Sequence, residues 1–358
     1  MKIALVLGTR PDIIKMSPII RECILRKLDF FIIHSGQHYS YRLDKIFFEQ
    51  LRLPDPNYVL EVGSAGSPSE QTGRIIARCG KVLSKERPDI ALVQGDTNTT
   101  LGSALSAVKS KVKVGHIESG LRSYDRNMPE EINRIVVDHC SDYLFAPTEV
   151  SKNLLLKEGI EANKIFVTGN TIVDAVFENI MLAEKENKSI LNRLHLRHKE
   201  YALVTIHRQE NVDSKARFQS ILKALEMINK HLNLTVIYPI HPRSKKNIHA
   251  FLIKVPKSIH IIEPLDYLSF LKLLSCAKLV ITDSGGIQEE ACIVGTVCVT
   301  VRDNTERPET VEVGSNMVAG VKPYKVLSAA NSMLRVHTKW KNPFGDGHAA
   351  KKIIDSLC

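Results

Sequence analysis

The sequence predicts two doubly wound, Rossmann-like α/β domains that face each other across a cleft. Three observations lead to this prediction. The chain has 358 residues, more than one hydrophobic core usually serves. Short β-rich runs alternate with longer amphipathic stretches, as parallel sheets with crossover helices require. Polar side chains and glycines follow nearly every β-rich run, and parallel sheets bind ligands beyond the carboxyl ends of their strands.

The β-rich runs divide between two halves of the chain. The first half contains the runs at residues 2–8, 30–36, 89–96, 113–118, 143–148 and 164–170. The second half contains the runs at residues 201–207, 234–241, 258–264, 278–284 and 297–301. Residues 183–200 are polar and charged, and we interpret them as a helix end and connector. We therefore expect an N-terminal domain over residues 1–170 and a C-terminal domain over residues 171–345.

Composition indicates a globular protein of the cytoplasm. Hydrophobic residues make up 44% of the chain and charged residues 25%, which is ordinary for soluble domains. No apolar run approaches the roughly 20 residues of a membrane span. Lys2 and the apolar residues after it resemble a signal peptide, but Arg10-Pro11-Asp12 follows at once and no small-residue cleavage site is present. We interpret this segment as a first strand and expect a cytoplasmic location.

Charge and cysteine content exclude several classes of partner. The formal net charge is +10, but the basic residues are scattered and no nucleic-acid motif is present. A small anionic ligand such as a nucleotide fits this charge equally well, so we expect neither nucleic acid nor a membrane as partner. The seven cysteines form no C-x-x-C pair, and His34, His38 and His116 lack metal-ligand spacing. We therefore expect reduced thiols and no metal.

Seven polar clusters stand at the ends of the predicted strands. They are Gly8–Arg10, Ser35–His38, Gln94–Thr97, His116–Glu118, Thr205–Arg208, His241–Arg243 and Thr282–Gly286. Two facing domains would bring all of them around one interdomain cleft. Solvated loops alone do not explain this coincidence.

Two of these clusters suggest phosphate binding. The run from Gly8 to Arg10 is either a helix turn capped by Thr9 or a phosphate contact, and the sequence leaves both open. Neither G-x-G-x-x-G nor a P-loop motif is present. Gly285 and Gly286 at a predicted helix start would let backbone N–H groups approach an anion. The alternative for this second cluster is an ordinary helix capped by Ser284.

The same strand ends supply cations and a ribose ligand. We expect Glu289 or Glu290, one helical turn beyond the two glycines, to face the ligand and accept the ribose hydroxyls. Two histidines, each followed within two residues by arginine, add possible cations for phosphate; these pairs are His207 with Arg208 and His241 with Arg243.

Carboxylates at strand ends suggest acid–base chemistry. Asp96 and Glu118 end two strands that would be neighbours, and partial burial would move their pKa values towards neutrality. Asp96 could instead cap the following helix. Glu130, just after Pro129, is the expected partner of Glu118, although an acid also favours a helix N-terminus there. We interpret the intervening charges as those of a solvated or dimer-facing loop; they are Arg122, Asp125 and Arg126.

Motifs along the whole chain resemble those of the non-hydrolysing UDP-N-acetylglucosamine 2-epimerases. The resemblance runs from about residue 1 to residue 355. The motifs, in order, are GTRPDIIKMSPII, SGQHYSYRLD, QGDTNTTL, GHIESGLRS with MPEEINR, PTEVSKNLLLKEG, VTGNTIVDA, HRQEN, DSGGIQEEA and VRDNTERPE. The resemblance implies a GT-B-type arrangement of the two domains, with a C-terminal helix over residues 346–358 that returns to the first domain. It also implies a homodimer and a role in making surface polysaccharide or glycoprotein sugars.

The resemblance also implies roles for individual residues. Three carboxylates and a histidine match catalytic positions, namely Asp96, Glu118, Glu130 and His207. Substrate-binding positions are matched by Arg10, Lys15, Arg134, Arg208, His241, Ser284, Gly285, Gly286 and Glu290. Gln37 and His38, in the same region as His241, match a second, activating substrate site.

The expected reaction is reversible C2 epimerisation of UDP-N-acetylglucosamine, through elimination of UDP to 2-acetamidoglucal and its re-addition. This route requires no nicotinamide, metal or other cofactor. Several alternatives stay open. The sugar could be a related UDP-diacetamido sugar or uronic acid, or the enzyme could hydrolyse its product to N-acetylmannosamine and UDP. A glycosyltransferase and a UDP-sugar-binding protein are the more distant alternatives.

Overall fold

Strand β1 (Lys2–Leu7) is apolar and buried almost throughout, as expected for a central parallel strand with both faces covered. The protein is described here from a computed structural model, which covers residues 1–37, 41–63, 66–186, 190–337 and 339–357. These residues form two units, of which unit 1 comprises Met1–Glu178 and Phe344–Cys358, and unit 2 comprises Asn179–Pro343.

Unit 1 contains a seven-stranded parallel sheet within the described ranges, in the order β3-β2-β1-β4-β5-β6-β7. The strands that follow β1 are β2 (Asp29–His34), β3 (Tyr58–Val59), β4 (Ile90–Gln94), β5 (Lys113–Ile117), β6 (Tyr143–Ala146) and β7 (Ile165–Val167). The helices are α1 (Arg10–Leu25), α2 (Tyr41–Gln50), α3 (Pro68–Glu86), α4 (Asn98–Lys109), α5 (Pro129–Cys140), α6 (Glu149–Lys157) and α7 (Thr171–Glu186), the last of which continues into unit 2.

Unit 2 contains a six-stranded parallel sheet within the described ranges, in the order β10-β9-β8-β11-β12-β13. Its strands are β8 (Tyr201–Thr205), β9 (Thr235–Pro239), β10 (Ile259–Ile262), β11 (Leu279–Thr282), β12 (Cys298–Thr300) and β13 (Asn316–Val318). Its helices are α8 (Ile190–Arg193), α9 (Gln209–Val212), α10 (Lys215–Leu232), α11 (Pro242–Ala250), α12 (Tyr267–Cys276), α13 (Gly285–Val294), α14 (Pro308–Glu312) and α15 (Pro323–Met333). No helix in the described part of the chain is long and apolar enough to cross a membrane.

The strand orders confirm the prediction of two doubly wound parallel-sheet units. Each sheet has a topological switch point, where consecutive crossovers diverge to opposite sides. The switch point lies between β1 and β4 in unit 1 and between β8 and β11 in unit 2. Open sheets of this kind bind ligands beyond the strand ends at the switch point. The short edge strands β3 and β13 were not predicted, because two or three residues are too few to show a pattern.

The last helix of the chain, α16 (Ala349–Asp355), belongs to unit 1. The carboxylate of Asp174 in α7 accepts hydrogen bonds from the N–H groups of Ala349 at 3.2 Å and Ala350 at 2.9 Å. Arg26 at the end of α1 pairs with Asp355 at 2.7 Å. These contacts involve the first half of α7, and the units divide after Glu178, later than the 170/171 boundary expected from the sequence.

Candidate active site

Asp96 follows strand β4, which pairs with β1 at the switch point of unit 1. The next residue, Thr97, caps α4, because its side chain accepts a hydrogen bond from the Thr100 N–H. Asp96 is therefore not the helix cap. Its carboxylate pairs with Arg134 of α5, with Nη2 2.8 Å from Oδ2, and its side chain is 33% exposed. This exposure leaves the Asp96 carboxylate within reach of a ligand.

Glu118 follows strand β5 and lies among hydrogen-bond donors. Its φ is 69°, in the left-handed region that is costly for a residue with a Cβ atom. Its side chain is only 5% exposed. Lys15 of α1 donates to Oε1 at 2.7 Å and to Oε2 at 2.6 Å, and the amides of Gln94 and Asn170 also donate to this carboxylate. Such donors favour an ionised carboxylate, which is the form that a base requires.

The neighbours of Glu118 differ in how far the sequence predicted them. Lys15 was expected near a diphosphate, and the structure pairs it with Glu118. Gln94 and Asn170 were not singled out as site residues. Both stand at the ends of predicted strands, next to Gly95 and Gly169, and this position is the signal that could have found them.

Two adjacent glutamates at the start of α5 have different surroundings. Glu130 is exposed, whereas Glu131 is buried and accepts hydrogen bonds from the N–H groups of Ser123 and Tyr124, both at 2.9 Å. Burial acts to raise the pKa of Glu131, but these hydrogen bonds and one from Arg134 outweigh burial and lower the pKa. Glu131 thus fixes the loop before α5 and also holds Arg134, at 2.6 Å. Sequence reasoning missed this role of Glu131.

The loop after β1 caps helix α1. Thr9 is the N-cap, and the Asp12 carboxylate accepts hydrogen bonds from the N–H groups of Gly8 at 3.1 Å and Thr9 at 2.9 Å. This result favours the helix-cap alternative for the cluster, since those two donors are used within the chain. Burial raises the pKa of Asp12 to about 7. The exposed Arg10 guanidinium lies over the ring of Phe47, 5.3 Å from its centroid.

Gln37 connects the end of β2 to the start of α4. Its side-chain oxygen accepts hydrogen bonds from the N–H of Thr99 at 3.1 Å and the hydroxyl of Thr99 at 2.6 Å. Gln37 is buried. His38, its expected partner in an activator site, lies outside the described residues.

Arg122 corrects one expectation from the sequence. Its side chain is 1% exposed and pairs with Asp138 and with Glu158, both at 2.7 Å. Burial alone would lower the pKa of Arg122, but these two carboxylates raise it. Arg122 is therefore an internal ion-pair residue and not a solvated loop charge, whereas Asp125 and Arg126 are exposed.

Helix α13 begins directly beyond strand β11, at the switch point of unit 2. Ser284 is the N-cap residue, but its side chain makes no capping hydrogen bond. The alternative of a helix capped by the Ser284 side chain is therefore not supported, and the start of α13 is suited to an anion. Further along the helix, Glu290 is buried and accepts a hydrogen bond from the Tyr267 hydroxyl at 3.1 Å. Its neighbour Glu289 pairs with Arg307 at 2.6 Å.

Two histidines lie close together beside this helix start. The buried Asp283 carboxylate accepts hydrogen bonds from the N–H groups of His207 at 3.1 Å and Arg208 at 3.0 Å, which fixes the loop after β8. The His207 side chain is 41% exposed, with Nδ1 3.5 Å from Asp283 Oδ1. The ring centroids of His207 and His241 are 5.6 Å apart. His241 also caps α11, because its Nδ1 accepts a hydrogen bond from the Arg243 N–H.

Arg208 pairs with Glu306, a residue that was not singled out beyond its place in a motif. Arg208 Nη2 is 2.9 Å from Glu306 Oε2, and Arg302 pairs with the same carboxylate at 3.2 Å. Burial acts to raise the pKa of Glu306, but the two guanidinium charges outweigh burial and lower it. A methyl group added to Gly285 would lie 3.5 Å from Glu306 Oε2. The carboxylate thus reaches the first residue of α13.

The two units therefore offer different chemistry. Unit 1 presents a buried carboxylate surrounded by a lysine and amides, together with a half-exposed aspartate paired to arginine. Unit 2 presents a helix start without a side-chain cap, two neighbouring histidines and a buried glutamate one turn along the helix.

Comparison with known proteins shows the family to which the chain belongs. A family model described as UDP-N-acetylglucosamine 2-epimerase matches residues 23–358. The UDP-N-acetylglucosamine 2-epimerase of Methanocaldococcus jannaschii is 53% identical over 362 residues, which cover 100% of this chain and 99% of that protein. A UDP-2,3-diacetamido-2,3-dideoxy-D-glucuronate 2-epimerase of Pseudomonas aeruginosa is 39% identical, with 100% of this chain and 99% of the relative covered.

Solved structures agree with the sequence comparison. The crystal structure of the Methanocaldococcus jannaschii UDP-GlcNAc 2-epimerase in complex with UDP-GlcNAc and UDP superimposes with a TM-score of 0.88 at 52% identity. The match covers 100% of this chain and 99% of that one. The chain belongs to the UDP-N-acetylglucosamine 2-epimerase family.

Proposed function

We propose that this protein interconverts UDP-N-acetylglucosamine and UDP-N-acetylmannosamine by inverting carbon C2, without net hydrolysis. The observation that carries the proposal is the buried Glu118 carboxylate, held by Lys15 and two amides at the end of β5. The Methanocaldococcus jannaschii relative, whose structure contains UDP-GlcNAc and UDP, supports this nucleotide sugar as the substrate.

The chemistry of C2 favours elimination and re-addition of UDP. The hydrogen on C2 is not adjacent to a carbonyl, so a base cannot simply remove it and return it. In the forward step a base takes this proton, the C1–C2 double bond of 2-acetamidoglucal forms, and the C1–O bond breaks. UDP leaves with the electron pair of that bond. In the second step UDP re-forms the bond to C1 while a proton reaches the opposite face of C2.

Unit 2 supplies the groups that hold UDP. The diphosphate binds at the start of α13, where the N–H groups after Ser284, Gly285 and Gly286 and the helix dipole stabilise negative charge. Glu290, positioned by Tyr267, accepts the ribose hydroxyls. Charge that grows on the departing diphosphate is stabilised by the nearby cationic residues, which are His207, Arg208 and His241.

Unit 1 supplies the acid and base groups. Glu118, surrounded by donors, acts as a base, and Asp96 and Glu130 are the further carboxylates of the reaction. Arg10, Lys15 and Arg134 balance the negative charge of these groups and of the substrate. Gln37 and His38 belong to a second substrate site. Such groups typically contribute 10²- to 10⁴-fold each to the rate by proton transfer.

Product analysis tests the proposed reaction. Purified protein is incubated with UDP-N-acetylglucosamine and followed by proton NMR. We expect a mixture of UDP-N-acetylglucosamine and UDP-N-acetylmannosamine, with UDP remaining attached to the sugar. Free N-acetylmannosamine that accumulates in step with free UDP would instead show a hydrolysing epimerase.

A second sugar specificity has independent support. The Pseudomonas aeruginosa relative acts, by its name, on a UDP-diacetamido glucuronate. The ratio of kcat/KM for UDP-N-acetylglucosamine and UDP-2,3-diacetamido-2,3-dideoxy-D-glucuronate separates the two possibilities. We expect the ratio to favour UDP-N-acetylglucosamine, and a preference for the uronate would overturn the substrate assignment.

Three further parts of the proposal concern the cellular setting. We place the enzyme in the cytoplasm, as a homodimer, in the supply of sugars for surface polysaccharide, without nucleic acid as a partner. These assignments are supported by the family resemblance alone. Light scattering after size-exclusion chromatography tests the dimer, and a mass near the 40.1 kDa of one chain would contradict it.

A further inference from the structure

His116 lies on β5 in unit 1, and both nitrogens of its buried ring face hydrogen-bond acceptors. Nδ1 is 2.6 Å from Asp138 Oδ1, and Nε2 is 2.8 Å from the backbone oxygen of Gly95. The side chains of His116 and Asp138 are both 0% exposed. A carbonyl oxygen can only accept, so Nε2 must carry a proton.

The surroundings of Asp138 indicate that Nδ1 carries a proton as well. Its other oxygen, Oδ2, accepts a hydrogen bond from the Gly120 N–H at 3.1 Å and pairs with Arg122 at 2.7 Å. Burial acts to raise the pKa of Asp138, but the charges of His116 and Arg122 outweigh burial and lower it. Asp138 is therefore a carboxylate that only accepts, and His116 is a buried imidazolium that donates from both nitrogens.

This pair connects the two loops that carry the proposed catalytic carboxylates. On one side, Nε2 holds Gly95, whose φ is 72° and which directly precedes Asp96. On the other side, Asp138 holds Gly120, whose φ is 79°, in the turn that begins at Glu118. Gly95 also lies near the second carboxylate, since a Cβ atom built on it would be 4.0 Å from Glu118 Oε2. One buried ion pair thus spans both loops.

We infer that the His116–Asp138 pair is a positioning device that sets the location of Asp96 relative to Glu118. The inference rests on the proposed function, because it takes these two carboxylates as the reacting groups. His116 does not touch substrate in this account. It acts through the backbone of Gly95, and Asp138 acts through the backbone of Gly120.

Two substitutions of His116 separate positioning from a merely structural role. In His116→Gln the amide nitrogen takes the place of Nε2 and can still donate to Gly95. In His116→Asn it takes the place of Nδ1 and can donate only to Asp138. Both variants lose the buried positive charge, so both lose stability for the same reason. Only His116→Asn loses the connection to the loop of Asp96.

We expect kcat of His116→Asn to fall at least about tenfold below that of His116→Gln, since small displacements of reacting groups can cost about 100-fold in rate. Affinity for UDP should stay within about twofold of the wild type in both variants, because UDP is held by unit 2. Hydrogen exchange of residues 94–101 should increase in His116→Asn and not in His116→Gln. Equal kcat and equal exchange in the two variants would overturn the inference.

Two controls keep the test decisive. If the unpaired Asp138 prevents folding, the same comparison is made in an Asp138→Asn background, where no buried carboxylate is left without its cation, and the same difference is expected. If the wild-type protein does not epimerise, the proposed function fails. Hydrogen exchange of residues 94–101 still decides whether His116 holds this loop.

Discussion

At Glu118 the chain leaves β5 in a left-handed conformation, with φ of 69° and a side chain only 5% exposed. A buried charge without partners is unfavourable, and here Lys15, Gln94 and Asn170 all donate to the carboxylate. The residue therefore combines backbone strain with a dense set of donors. Both features are expected where a reacting group must be held in one orientation.

Replacement of Glu118 by glutamine tests its role directly. Glu118→Gln keeps the shape of the side chain but removes the base, so kcat should fall by about 10² to 10⁴. Affinity for UDP, measured by calorimetry, should change little. Glu149→Gln, at a side chain that is 70% exposed on α6, serves as a matched control and should keep wild-type kcat. Wild-type kcat in Glu118→Gln would remove this residue from the chemistry.

Asp12 predicts a pH dependence of stability. Burial raises its pKa from 3.8 to about 7 in the folded protein, so the folded state binds this proton more tightly than the unfolded state. The group therefore stabilises the fold at low pH, and this contribution disappears as the pH rises through about 7. Asp12→Asn keeps an oxygen that accepts from Gly8 and Thr9 but does not titrate.

Urea unfolding at several pH values measures this effect. Between about pH 4 and pH 7, the free energy of unfolding of the wild type should fall relative to Asp12→Asn, by at most about 1.4 kcal/mol per pH unit. Below this range the difference should be constant. Parallel curves for the two proteins across the whole range would show that the pKa of Asp12 does not change on folding.

At the scale of elements, helix α13 is the part of unit 2 on which nucleotide binding depends. Its first turn has no side-chain cap, and its first residue, Gly285, leaves space that a larger side chain would fill. The pairs formed by Asp283 with the loop of His207, and by Glu306 with Arg208, bring cations beside the same helix start. The element therefore works as an anion site through its backbone.

Gly285→Ala should weaken UDP binding without unfolding the protein. The added methyl group would make only ordinary contacts, at 3.5 Å from Glu306 and 3.9 Å from Arg307, but it would hinder the approach of a phosphate to the backbone. We expect the Kd for UDP to rise about tenfold, which corresponds to about 1.4 kcal/mol, with little change in Tm. Gly73→Ala in α3, where the methyl group meets nothing within 4 Å, is the matched control and should leave the Kd unchanged. An unchanged Kd in Gly285→Ala would move the diphosphate away from this helix start.

For the whole molecule, strand periodicity was enough to predict two parallel sheets and the ends at which polar residues gather. It could not predict which polar groups meet. Arg122 resembled a loop charge because its partners Asp138 and Glu158 are distant in sequence. Gln94 and Glu306 likewise acquire their roles only through neighbours brought together by the fold.

Local signals were also ambiguous at the helix starts. Asp96, Thr9 and Ser284 each stood where a helix cap or a ligand contact was equally consistent with the sequence. The structure shows that Thr9 caps α1 and that Thr97, next to Asp96, caps α4, whereas the Ser284 side chain caps nothing. Such choices depend on backbone geometry and on competing partners, which residue type alone does not specify.

Solvent deuterium at C2 tests the central claim, which is that the whole protein inverts C2 by removing and returning its proton. The protein is incubated with UDP-N-acetylglucosamine in D2O without any acceptor, and the nucleotide sugars are examined by proton NMR and mass spectrometry. The account predicts UDP-N-acetylmannosamine that carries one deuterium at C2, with UDP still attached, and deuterium that later enters the UDP-N-acetylglucosamine pool by the reverse reaction. Epimerisation that leaves the original hydrogen on C2 would contradict it.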